Sequence, residues 1–99
     1  MDFEKQIKED RESLIHDIMK LVSIDSVEDT PEAGMPFGAG AAKALDCFLE
    51  MAESIGLKTE NFDHYAGHAD YGNQEETLGI LGHVDVVPCS GSWICDPFK

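Results

Sequence analysis

Basic side chains are scarce in this sequence: seven Lys and Arg stand against twenty Asp and Glu over 99 residues, a formal charge of −13. Nucleic acid and anionic membrane surfaces need a basic face to neutralise phosphate, so no nucleic-acid partner is expected. Long apolar runs are also missing. None approaches the roughly eighteen residues of a membrane helix, and no membrane partner is expected. The opening Met1-Asp2-Phe3-Glu4-Lys5 lacks the basic-then-apolar order of a secretory leader. Cysteines are few and odd in number, and Cys47, Cys89 and Cys95 form no paired framework. That points to a reduced, cytoplasmic protein. What is present is ordinary for a folded chain. An apolar share of 42% and a charged share of 27% exclude global disorder. The length suits one unit, residues 1–99, with a modest core.

Apolar spacing sets the expected elements. Phe3, Ile7, Leu14, Ile15, Ile18, Leu21 and Val22 recur at three- and four-residue steps among charged residues, which predicts a helix over residues 2–21 with its apolar stripe on the core. Residues 23–40 hold Asp25-Ser26, Asp29-Thr30-Pro31, Gly34, Pro36 and Gly38, and read as a long, acidic, solvated loop. Ala41, Ala44, Leu45, Phe48, Leu49, Ala52 and Ile55 predict a second helix over 41–55, with Gly56 at its left-handed cap and Cys47 as a buried, inert thiol. Strands are expected over 57–65 and 69–71. The strongest covers 77–87, where Leu78, Ile80, Leu81, Val84, Val86 and Val87 make a nearly continuous apolar run ended by Pro88. Such runs belong to strands buried on both faces. The expected class is α/β, with two helices packed on a small, mixed sheet.

His83 and Asp85 are the ionisable residues inside that run. Two apart on a strand, they point to one face with Cα atoms roughly 6.6 Å apart. Burying such groups costs several kcal/mol unless they pair or bind a metal. Two readings stay open: a satisfied His–Asp pair closing a sheet end, or a metal or catalytic site. His64 and His68 lie about 13 Å apart on an extended chain and read as surface histidines. Cys89 and Cys95 lack the CxxC pairs of a structural zinc site.

The stretch Leu78-Gly79-Ile80-Leu81-Gly82-His83-Val84-Asp85-Val86-Val87-Pro88, followed by Trp93 and Asp96-Pro97-Phe98, resembles the signature of the zinc-dependent aminoacylase and carnosinase-type dipeptidases. Leu21-Val22-Ser23-Ile24-Asp25-Ser26-Val27, Pro36-Phe37-Gly38, Ile55-Gly56-Leu57 and Ala66-Gly67-His68-Ala69-Asp70-Tyr71-Gly72 resemble the Xaa-His dipeptidase branch. The resemblance implies that His83 ligates one of two Zn2+ ions and that Asp85, a catalytic-site carboxylate, orients the imidazole. It also implies dipeptide hydrolysis by a zinc-bound water. The loop Cys89-Ser90-Gly91-Ser92-Trp93 departs from the family's usual Gly-Asp-Gly-Trp by lacking the acidic residue. The family's other ligands lie downstream of this motif. The chain is therefore expected to be the N-terminal portion of a metallopeptidase catalytic domain, inactive alone and binding zinc weakly at most. The alternative is a non-catalytic interaction module associating through an exposed sheet edge. Either way, self-association is expected.

Overall fold

The apolar period produces helices where it should, but only one of them finds a core. The computed structural model describes all residues, Met1–Lys99, in the order α1 (Phe3–Glu9), α2 (Arg11–Val22), α3 (Ala39–Ser54), β1 (Lys58–Phe62) and β2 (Ala66–Asp70). The expected α/β class holds, as three helices and one two-stranded antiparallel sheet.

The single helix expected over residues 2–21 is interrupted at Asp10, a weak helix former whose backbone relaxes to φ −85°, ψ −1°. Asp2 caps α1 by accepting the Lys5 N–H at 3.1 Å. The apolar stripe does not face a core as expected: neither α1 nor α2 has a buried residue, and Phe3 and Ile7 are largely exposed. Only Leu21, at the end of α2, reaches the packed centre. The rest of the stripe stays partly exposed, from 37% at Ile15 to 69% at Phe3.

In α3 the pattern is satisfied. Ala42, Ala44, Cys47, Leu49 and Ala52 are buried, the Cys47 thiol among them as expected. Gly56 ends the helix region at φ +94°, a conformation costly for any residue with a Cβ. The chain then returns as a hairpin, registered from Lys58↔Asp70 to Phe62↔Ala66, and both strands pack on α3.

The centre of the molecule is the cluster of Ile24, Ala44 and Cys47, backed by Leu21, Met51 and Val84. It forms because the segment after α2 lies directly on the first turn of α3. A Cβ at Gly40 would come within 1.9 Å of the Asp25 carbonyl oxygen, so only glycine allows the approach. Ser26, next along, is 2% exposed.

Residues 77–87 overturn the expectation of a buried strand. They make one isolated parallel bridge, Val27↔Val86, through Val86 N–H donating to the Ser26 carbonyl at 3.4 Å. Leu78, Ile80 and Leu81 are 87%, 91% and 99% exposed. A strand exists only through its neighbours. Here residues 26–27 offer a single rung on one side, and the other side has none. Eight of 99 residues are buried, and the radius of gyration is 15.8 Å against roughly 13 Å for a closed domain of this length. The chain does not close a core around its own most apolar run.

Gly40→Ala is expected to lower stability by about 1–3 kcal/mol through forced overpacking. Gly79→Ala, where a Cβ meets nothing within 4 Å, should stay within about 0.5 kcal/mol. Urea unfolding followed by helical circular dichroism measures both.

Candidate functional site

The bridge at Val86 and the packing of Val84 together orient the residues on either side. Val84 turns inward against Ile24, Ala44 and Cys47. Alternation along an extended chain then sends His83 and Asp85 outward on the same side. Their side chains meet as the sequence led one to expect. His83 Nδ1 donates to Asp85 Oδ1 at 3.1 Å and lies 3.0 Å from the Asp85 carbonyl oxygen. Both partners are acceptors, so Nδ1 carries the proton and Nε2 keeps its lone pair with no hydrogen-bond partner. The expected burial is corrected: the two side chains are 81% and 60% exposed. The apolar run that was to bury them has no covering layer here.

His83 and Asp85 line an open cavity of about 630 Å³, whose apolar wall includes Ile24, Val86, Trp93 and Phe98. An apolar concavity with a few convergent polar groups is the usual form of a ligand site. Ile24 comes from the segment seated on α3, and Trp93 and Phe98 from the residues after Pro88. Cys89 and Cys95 are exposed and unpaired. No group of three or more metal-ligating side chains assembles anywhere in the chain. The donor set fits one metal ligand with its orienting carboxylate, and not a complete coordination shell.

A second histidine site was not legible in the sequence. His64, expected to be an ordinary surface residue, sits in the hairpin turn at φ +59° beside Asp63 at φ +54°. Its Nε2 lies 2.8 Å from Asp46 Oδ1 of α3 and its Nδ1 2.8 Å from the Gly34 carbonyl oxygen. Hydrogen bonding to Asp46 and to the Gly34 carbonyl raises its pKa above the ordinary 6.5, outweighing the opposing effect of desolvation. The signal for it was weak: three elements far apart in sequence meet there, and none carries a local motif. His68 matches expectation better, half exposed between Glu60 and Asp70 on the outer side of the hairpin.

No protein-family model matches the chain. Among curated proteins it is 40% identical to Putative dipeptidase YtjP of Bacillus subtilis over 101 aligned positions, covering all of this chain and 22% of that protein. It is 39% identical to Beta-Ala-Xaa dipeptidase of Lactobacillus delbrueckii subsp. lactis over 101 positions, again all of this chain and 22% of the relative. Against Putative dipeptidase SH1171 of Staphylococcus haemolyticus it is 39% identical over 99 positions, 98% of this chain and 21% of that one. The whole chain is thus similar to one part of proteins named dipeptidases. It spans about a fifth of the length of the relatives it matches.

The geometry fixes a tautomer. In the neutral state His83 should carry its proton on Nδ1, readable from its imidazole ¹⁵N shifts. Asp85→Ala removes the carboxylate and leaves the backbone carbonyl as the one acceptor for Nδ1, so part of the proton population should move toward Nε2, the site preferred by a free imidazole. An unchanged tautomer in that variant would mean that Asp85 does not orient the ring.

Proposed function

We propose that the chain is part of a zinc-dependent dipeptidase of the aminoacylase and carnosinase type. In this reading His83 Nε2 is a ligand to one of two zinc ions, and Asp85 holds the imidazole in the metal-binding tautomer. The observation that carries it is the Nδ1–carboxylate bond at 3.1 Å beside an unengaged Nε2. Metal-bound imidazoles characteristically give their other N–H to a carboxylate or carbonyl, which fixes the ring and raises its basicity. Relationship to dipeptidases over the full chain supports the same reading. Bound zinc supplies an activated water for attack on a peptide carbonyl. The residues present contribute one ligand, its orienting acid and part of an apolar cavity wall.

The substrate class is a dipeptide. The Xaa-His resemblance of the sequence suggests a C-terminal histidine, and the name of the Lactobacillus relative suggests that a β-alanyl N-terminal residue also fits. The cytoplasm suits two exposed, unpaired thiols.

A catalytic zinc centre needs about three protein ligands and a water. The 99-residue chain with excess zinc is therefore expected to release no product from β-alanyl-histidine. Turnover like that of an intact dipeptidase would overturn the reading. Zinc binding followed by calorimetry should be lost in His83→Ala and weakened roughly 10–100-fold in Asp85→Asn. Binding unchanged in both variants would also contradict it.

We further infer that the chain self-associates. Leu78, Ile80 and Leu81 lie bare on a segment whose backbone has one ladder bond, and such segments template pairing. The −13 charge opposes association at long range, but salt screens it beyond roughly 8–10 Å. Sedimentation at micromolar concentration should show dimers or larger species, with more at high salt. A sharp monomer at low and high salt would contradict this.

A further inference from the structure

His64 lies outside the cavity described above and ties together three parts of the chain. The loop 27–38 reaches the hairpin turn at two points. Gly34 accepts from His64 Nδ1, and Phe37 packs edge-on against Tyr65 with ring centroids 5.6 Å apart. On its other side, His64 Nε2 bonds to Asp46 of α3. The turn is built to hold the ring there. Asn61 Oδ1 accepts the His64 backbone N–H at 2.9 Å, and Asn61 Nδ2 donates to the same Asp46 oxygen at 3.3 Å. Two consecutive non-glycine residues at positive φ carry a conformational cost that the surrounding bonds must offset.

We propose that His64 is a pH-operated strap which, when protonated, fastens the loop 27–38 to α3 and the hairpin turn, and which releases the loop when it loses that proton. Each ring nitrogen faces an acceptor at 2.8 Å. Only the imidazolium has two N–H donors. The neutral ring must abandon either Asp46 or Gly34 and turn a lone pair toward the oxygen it abandons, at the cost of an unmade hydrogen bond. The charged groups facing the ring favour the cation. They are Asp46 from α3 and Asp63 from the turn, while the loop contributes a neutral carbonyl. His64 is the only cationic partner of Asp46.

The loop matters because of where it starts. Val27 forms the bridge to Val86, the residue after Asp85. Fastening the loop therefore steadies one side of the segment that carries His83 and Asp85. The strap itself stands on the His64 geometry and does not require that those residues bind metal.

Linkage fixes the direction. The folded pKa lies above the unfolded value of 6.5, so the strap's stabilisation is fully present below pH 6.5 and is lost as pH rises through the folded pKa. The test is amide hydrogen exchange on the full chain from pH 5 to 9, corrected for intrinsic rates. The reporters are Asp29, Glu32 and Met35, whose N–H groups bond within the loop. The histidine ring signals are followed in parallel. Loop protection should fall in one step whose midpoint coincides with His64 titration. Asp46→Asn should move both midpoints down together, and His64→Gln should abolish the step and leave the loop weakly protected throughout. Protection that is flat while His64 titrates would overturn the proposal, as would a step that follows His16, His68 or His83. If His64→Gln does not fold, the paired shift in Asp46→Asn decides alone.

Discussion

The structure depends on the approach of residues 24–26 to the first turn of α3. Gly40 permits it, because any side chain there would collide with the Asp25 carbonyl. Two consequences follow from that contact. Ile24 joins Ala44 and Cys47 to form the only hydrophobic centre the chain has. The Ser26 carbonyl is then left pointing where Val86 N–H can reach it, and that bond together with the packing of Val84 on the cluster anchors residues 77–87. The placement of His83 and Asp85 is thus downstream of a missing Cβ more than forty residues away in sequence.

From this anchor the chemistry follows by alternation. Val84 turns inward, so His83 and Asp85 turn outward together and hydrogen-bond. The hydrogen bond itself lies within one short segment, between residues two apart. It does not need burial to form, which explains how it survives on an exposed segment. In surroundings that also covered Leu78, Ile80 and Leu81, the same bond would be worth more, because a less polar medium strengthens it.

Much of this was legible in the sequence, and what was not has a common cause. The helix at 39–54 carries its own local signals, alanine and leucine at helical spacing and Gly56 at the cap; the second strand was expected over 69–71, and Gly67, read as its boundary, lies inside the strand Ala66–Asp70. The same-face placement of His83 and Asp85 follows from strand periodicity and required no knowledge of neighbours. Burial was misread for residues 77–87 and for the stripe of α1 and α2. Apolar pattern states what a segment would bury, and not whether a partner lies within the same chain. His64 was missed for a different reason. Its role comes from the meeting of Gly34, Asp46 and a turn with two left-handed residues, and pairings that distant leave no spacing to detect.

The central proposal is that His83, oriented by Asp85, is a zinc ligand in a chain similar to one part of proteins named dipeptidases. X-ray absorption at the zinc edge tests it most directly. The zinc-loaded 99-residue chain should show one imidazole nitrogen at about 2.0–2.1 Å, with oxygen filling the remaining positions. That imidazole signal should vanish in His83→Ala. Sulfur at about 2.3 Å, from Cys89 or Cys95, would contradict the account, as would an imidazole signal that persists without His83.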